Sequence, residues 1–140
     1  MKIDELMIGN ILKCVWDDEI YKVIIVDYRG MVYLKNIDKE GKIEGHECLL
    51  KSIQPIPITI EWLVKNGFEK RHEEFLDYYY YTKETKDCLF RITIREISGG
   101  YFKCYLDNNA LQSYGYADIQ YIHQLQNLLN ILNIKEEFIV

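Results

Sequence analysis

Apolar and polar residues alternate in short runs along most of the chain, which is the period of half-buried β-strands. In CLFRITIREI (88–97), Phe90, Ile92 and Ile94 alternate with Arg91, Thr93 and Arg95. In YFKCYLD (101–107), Phe102, Cys104 and Leu106 alternate with Tyr101, Lys103 and Tyr105. A third run, FLDYYYYT (75–82), precedes them, and KETKD and Ser98-Gly99-Gly100 supply the intervening turns. This spacing predicts a three-stranded antiparallel meander with one apolar and one polar face.

The first part of the chain reads as shorter strands. ILKCVW (11–16), IYKVIIVDY (20–28), MVYLKNI (31–37) and IEGHECLL (43–50) are joined by Asp17-Asp18-Glu19, Arg29-Gly30 and DKEGK. Four or five short strands with tight turns predict an SH3-like β unit over residues 1–56. Pro55 and Pro57 each lack an N–H and force extended backbone, so the stretch 54–59 marks a boundary. Thr59 then caps a short helix, IEWLVKN, which Gly67 ends. Ile60, Leu63 and Val64 share one side of it.

A second helical period covers 118–133, DIQYIHQLQNLLNILN. Tyr121, Ile122, Leu125, Leu128, Leu129 and Leu132 fall in one arc of roughly 120° and form its core-facing stripe. His123 falls nearly opposite, aligned with Asn127 and Asn130, and is therefore expected outside the core. The predicted class is α+β: the SH3-like unit over 1–56, then a unit over 57–140 made of a helix, a three-stranded antiparallel sheet and a C-terminal helix. A core of 55 residues alone is marginal, so the two are expected to pack as one body.

Composition narrows the functional classes. A chain of 140 residues with 49% hydrophobic and 28% charged residues is that of a globular protein. The net charge of −5 opposes nonspecific nucleic-acid binding, which depends on cations neutralising phosphates. The start, MKIDELMIGN, lacks a charged segment followed by an apolar run, so no signal peptide is expected and the cytoplasm is the default location. Cys14, Cys48, Cys88 and Cys104 form no C-x-x-C pair and read as reduced thiols, mostly buried.

Chemistry-bearing constellations are few. A catalytic His123 would need an orienting acid, and a metal site would need a further ligand three or four residues away, which the helix lacks. His46 and His72 stand far off in sequence. Asp17-Asp18-Glu19 fits turn chemistry, and Glu73-Glu74 fits a solvated surface. No catalytic residue, metal ligand or cofactor is assigned. Two surfaces remain. The helix carries no charge between Asp118 and Lys135, so Gln120, His123, Asn127 and Asn130 suit a face covered by protein, either another subunit or the N-terminal unit. The polar sheet face combines Arg91, Arg95, Lys103, Tyr101 and Tyr105 with Tyr78 and Tyr80, or else with Tyr79 and Tyr81. Rings beside cations are what single-stranded nucleic-acid platforms use.

Three stretches, ELMIGN, PIPITIEWLVKNGFEK and IQYIHQLQNLLNIL, together resemble a group of small hypothetical proteins of Bacteroides-type bacteria and their prophages and mobile elements. HQLQNL is the most specific part, and the tail LNIKEEFIV departs from the Thr-Gly-containing ending of that group. The resemblance implies an intracellular accessory protein and carries over no activity, substrate or catalytic residue. The resulting expectation is a non-enzymatic interaction module with a protein partner or a second copy of itself. Nucleic acid is the alternative partner, and no membrane is expected.

Overall fold

Among the described residues the alternating runs form two antiparallel five-stranded sheets, which with two α-helices give an α+β fold. The computed structural model describes residues 5–26, 31–36, 45–86, 89–108 and 113–140. The expected turns at Arg29-Gly30 and at 38–42, Cys88 and the His46 side chain lie outside the described residues. The chain forms two compact units, one of residues 1–56 with 121–127 and Val140, the other of 57–120 with 128–139.

In the first unit, β1 (Ile11–Cys14), β2 (Ile20–Val26), β3 (Met31–Asn36), β4 (Gly45–Leu49) and β5 (Ile53–Gln54) are ordered β4-β3-β2-β1-β5. The β1–β2 turn follows from its acidic residues: the Glu19 N–H donates to Asp17 Oδ1 at 3.0 Å, and Asp18 takes a positive φ of 63°. A single 3-10 turn over Leu50–Ser52 leads into β5, which pairs back onto β1. Leu12, Cys14, Tyr21, Val23, Val32, Leu34 and Ile53 form one core cluster, and Cys48 packs against it. Cys48 of β4 packs on the same cluster as Leu12 and Cys14 of β1, although two strands lie between them.

In the second unit, Thr59 caps α1 (Ile60–Lys65), its hydroxyl accepting from the Trp62 N–H at 3.1 Å. The helix ends in a Schellman motif: Phe68 N–H donates to the Leu63 carbonyl, Gly67 N–H to that of Val64, and Gly67 has φ 79°. Leu63 and Phe68, which flank the motif, are both buried. Of the residues on and beside the apolar side of this helix, Trp62 and Leu63 are buried while Ile60 and Val64 are exposed. Trp62 turns inward because its ring packs 5.1 Å from that of Phe138.

The second sheet has five strands where three were expected. Its members are β6 (Glu69–Glu73), β7 (Tyr78–Glu84), β8 (Phe90–Ser98), β9 (Tyr101–Asn108) and β10 (Ser113–Ile119), each beside its neighbour in sequence. Strand β6 was missed because EKRHE has no apolar alternation; it is an edge strand held by its backbone pairing to β7. Strand β10 pairs Asp118 with Lys103 and Ile119 with Phe102, which removes these residues from the predicted helix. The helix α2 therefore spans Ile122–Ile131, not 118–133.

Each end of α2 is capped locally. In the first unit the Gln124 side chain reaches back to accept the Tyr121 N–H at 3.1 Å. In the second unit, Ile134 N–H donates to the Leu129 carbonyl and Asn133, with φ 55°, donates to that of Asn130, a second Schellman motif with asparagine in the left-handed position. The tail beyond it is tied down: Asn66 exchanges hydrogen bonds of 2.8 and 2.7 Å with the backbone of Ile139, and Lys83 pairs with Glu136 at 3.1 Å. Among the described residues no helix is long and apolar enough to cross a membrane.

The α1 cap is a single side-chain bond, so its removal should register cleanly. Thr59→Ala is expected to lower stability by about 1 kcal/mol, whereas Thr59→Ser retains most of it. Urea denaturation of the two variants measures this directly.

Candidate functional site

The amide-bearing side of α2 is largely spent inside the first unit. Asn127 Oδ1 accepts from Asn10 Nδ2 at 2.8 Å, and its Nδ2 donates to the Glu5 carbonyl at 2.7 Å. Gln126 Oε1 accepts the Ile11 N–H at 2.9 Å. Asn10, wholly buried, also accepts the Met7 N–H at 2.7 Å, so its amide is satisfied on both sides. Of the four helix-face candidates, Asn130 is exposed, Gln120 and Asn127 are half-buried and His123 is buried. They do not form one continuous outer surface.

His123 is 1% exposed, which corrects its expected place outside the core. A helical wheel assumes one covered side, but here the segment from Glu5 to Ile11 bonds a second side of the helix. The ring stacks on Tyr121 at 5.8 Å, and neither ring nitrogen has a hydrogen-bond partner among the described residues. Burial holds its pKa below the usual 6.5, an effect that the Glu5 carboxylate opposes.

The polar face of the second sheet lies open within its unit. The register pairs Tyr81 with Ile94, so Tyr81 is buried and Tyr78 and Tyr80 face the polar side. Tyr79 instead lies under Lys70, whose Nζ is 4.0 Å from the ring centroid. Two hollows of about 840 and 320 Å³ share Tyr80, Thr93 and Asp107 in their walls. Arg71, Glu84 and Arg91 line the larger; Glu73, Tyr78, Arg95 and Tyr105 line the smaller.

The cations of this face fall into two groups. Arg71 is paired with Glu69 at 2.5 Å and Arg91 with Glu84 at 3.7 Å. Arg95 lies flat over Tyr78, its guanidinium carbon 3.7 Å from the ring centroid. Among the described residues its buried Nε has no hydrogen-bond partner, and no carboxylate lies within ion-pair distance of it. Lys103 sits 4.7 Å over the ring of Tyr116, which neighbours Tyr105 at 6.0 Å. The register sets Arg95 directly opposite Lys103. Tyr101 opens β9 beside the Gly99-Gly100 turn and is exposed. The sequence thus located Arg91, Arg95, Lys103 and Tyr105 on one face, but it did not disclose Arg71, Glu73 and Asp107, which the missed β6 and the strand pairing bring to the same hollows.

The remaining chemistry is sparse. Cys14 and Cys104 are buried free thiols and Cys48 is a half-buried one; burial pushes Cys48 up to about 11 and Cys104 up to about 12. Among the described residues, no three His, Cys, Asp or Glu side chains gather as a metal-binding group. No protein-family model, curated protein or solved structure matches the chain.

Asn127→Ala should cost about 1–3 kcal/mol, because it strands the buried Asn10 donor and the Glu5 carbonyl, while Asn130→Ala stays within about 0.5 kcal/mol. Chemical denaturation of the pair reads the contrast. His123 gives a pH signature. Its folded pKa lies below the unfolded 6.5, so as pH falls the unfolded state takes up the proton first; its contribution is complete above pH 6.5 and declines as pH falls below that value. The wild-type melting temperature should drop more between pH 7.5 and 5.5 than that of His123→Leu. Parallel drops in the two proteins would remove His123 as the cause.

Proposed function

We propose that the chain is a non-enzymatic interaction module, an accessory protein of phage or mobile-element origin acting in the cytoplasm, and that the Tyr/Arg face of its second sheet meets a protein partner. The observation that carries this is the charge pattern of that face. Arg71 and Arg91 are each matched by a carboxylate, and Glu73 and Asp107 line the hollow that also holds Tyr78, Tyr80, Tyr105 and Arg95. Tyrosine and arginine are the residues that concentrate binding energy at protein interfaces, and interleaved charges of both signs complement a protein surface of mixed charge. The resemblance of ELMIGN, PIPITIEWLVKNGFEK and HQLQNL to mobile-element proteins supports the biological setting.

The first unit fits the same reading as an SH3-like domain. Its strand order β4-β3-β2-β1-β5, with a 3-10 turn entering β5, supports that assignment. The alternative function is nucleic-acid binding through Arg91, Arg95, Lys103, Tyr101 and Tyr105. The observation in its favour is the stacking of Arg95 and Lys103 on tyrosine rings. Against it stands the consumption of Arg91 by Glu84 and the neighbouring carboxylates, which repel a continuous polyphosphate.

A displayed random-peptide library separates the two. Peptides selected on the protein should bind with affinities that fall at least tenfold in Tyr80→Ser/Tyr105→Ser and that depend on salt far less steeply than polyphosphate binding does. Labelled single-stranded DNA and RNA should not bind at moderate salt. Tight, steeply salt-dependent binding of the oligonucleotides, with no peptide selected, would overturn the protein-partner reading.

A further inference from the structure

Glu73 pairs with Tyr78 in the register of β6 and β7, so Glu74, Phe75, Leu76 and Asp77 make the whole turn between the two strands. Turns ordinarily draw on Gly, Asn, Asp, Pro and Ser. Here the two central residues are apolar, and Phe75 is 91% and Leu76 63% exposed. The turn is also held in one shape. Asp77 takes the left-handed conformation at φ 48°, and its carboxylate meets His72 Nε2 at 3.0 Å. The Phe75 N–H donates to Glu73 Oε1 at 3.4 Å, and the His72 ring packs 4.7 Å from that of Tyr79 across the strand pair. An aromatic and an aliphatic side chain on a preorganised tip lose little freedom on binding and suit an apolar recess. Glu73, Glu74 and Asp77 flank them, so the recess that complements this tip carries cations.

A hollow of the same unit has that character. Its volume is about 540 Å³, and its walls include Ile60, Tyr79 and Ile97 with the cations Lys70 and Arg95 and one carboxylate, Glu96. Ile60, Tyr79 and Ile97 are all exposed. Among the described residues neither Lys70 nor Arg95 is in an ion pair; each lies against a tyrosine ring instead. We propose that the Phe75–Leu76 tip of one copy of this chain docks in the Lys70–Ile97 hollow of a second copy. Apolar groups then meet apolar groups, and the acidic flank of the tip meets Lys70 and Arg95. The same flank opposes anionic lipid headgroups and nucleic-acid phosphates. Tip and hollow are unlike patches, so two copies exchange tips to close a dimer or pass them on in a row. A contact of this size is small for a stable interface, and the association is weak and concentration-dependent. Neither the tip residues nor Lys70 lines the hollows of the Tyr/Arg face, so the inference stands apart from the partner reading, although Arg95 borders both places.

The test is sedimentation velocity of the full chain over a hundredfold range of concentration. The wild type should gain mass as concentration rises. A tip variant, Phe75→Ser/Leu76→Ser, and a hollow variant, Lys70→Glu/Ile97→Glu, should each weaken self-association at least tenfold; all four positions are exposed, and circular dichroism checks that the fold is kept. Mixing the two variants should restore a one-to-one complex, because the first keeps an intact hollow and the second an intact tip. A wild type that stays monomeric throughout, or variants that associate as it does, would overturn the contact. Loss in both variants without recovery on mixing would overturn the pairing of this tip with this hollow. Wild type that floats with phosphatidylcholine vesicles through Phe75 but does not self-associate would assign the tip to lipid and refute the proposal. Peptide binding that depends on Tyr80 and Tyr105 is read separately in the tip variant, and its presence or absence bears on the partner reading alone.

Discussion

A pleated strand sends successive side chains to opposite faces, and in β8 and β9 this constraint organises the second unit. Once Ile92, Ile94, Phe102, Cys104 and Leu106 are buried, Arg91, Thr93, Arg95, Lys103 and Tyr105 have no choice but the other side. A one-residue slip would bury two arginines and expose the isoleucines, so the register is held by hydrophobic burial. The candidate surface is in this sense a by-product of the core. Its cations are spaced by the sheet, and their partners are chosen by which strand lies alongside.

The first unit rests on a different kind of constraint. A buried primary amide needs both an acceptor and a donor, and Asn10 finds them at Asn127 and at the Met7 N–H. Together with Gln126, these bonds fasten the segment from Glu5 to Ile11 to the first turns of α2. Neutral amides can do this at modest desolvation cost where lysine or glutamate could not. The neutral side chains of Gln126 and Asn127 are thereby accounted for within the first unit. His123, buried beside them without a hydrogen-bond partner among the described residues, is the place where this arrangement is least satisfied.

Strands β8 and β9 could be read from sequence because their alternation is unambiguous. Strand β7 could not be oriented, since four consecutive tyrosines carry no alternation; only the pairing of Tyr81 with Ile94 decides which rings face which way. Strand β6 was illegible for a related reason, being polar at every position and defined by its neighbour alone. The burial of His123 was hidden because periodicity gives directions around a helix and not the number of sides that other segments cover. The candidate cations were named correctly as residues of one face. Their division into paired and unpaired members depends on Glu69 and Glu84, which the linear pattern does not connect to them.

The charges of β6 have a consequence for how this unit can be approached. Glu69, Lys70, Arg71, His72 and Glu73 occupy one of the two edge strands of the sheet, a border on which another extended chain could otherwise continue the hydrogen-bond ladder. Adding a strand there would crowd each of these side chains against a newcomer's and strip water from several ions at once. Growth of the sheet along that border is discouraged, whether by a second copy or by an unfolded segment. Along this border, recognition is left to groups presented from above the sheet, so a ligand would be chosen by its side chains and not by its backbone.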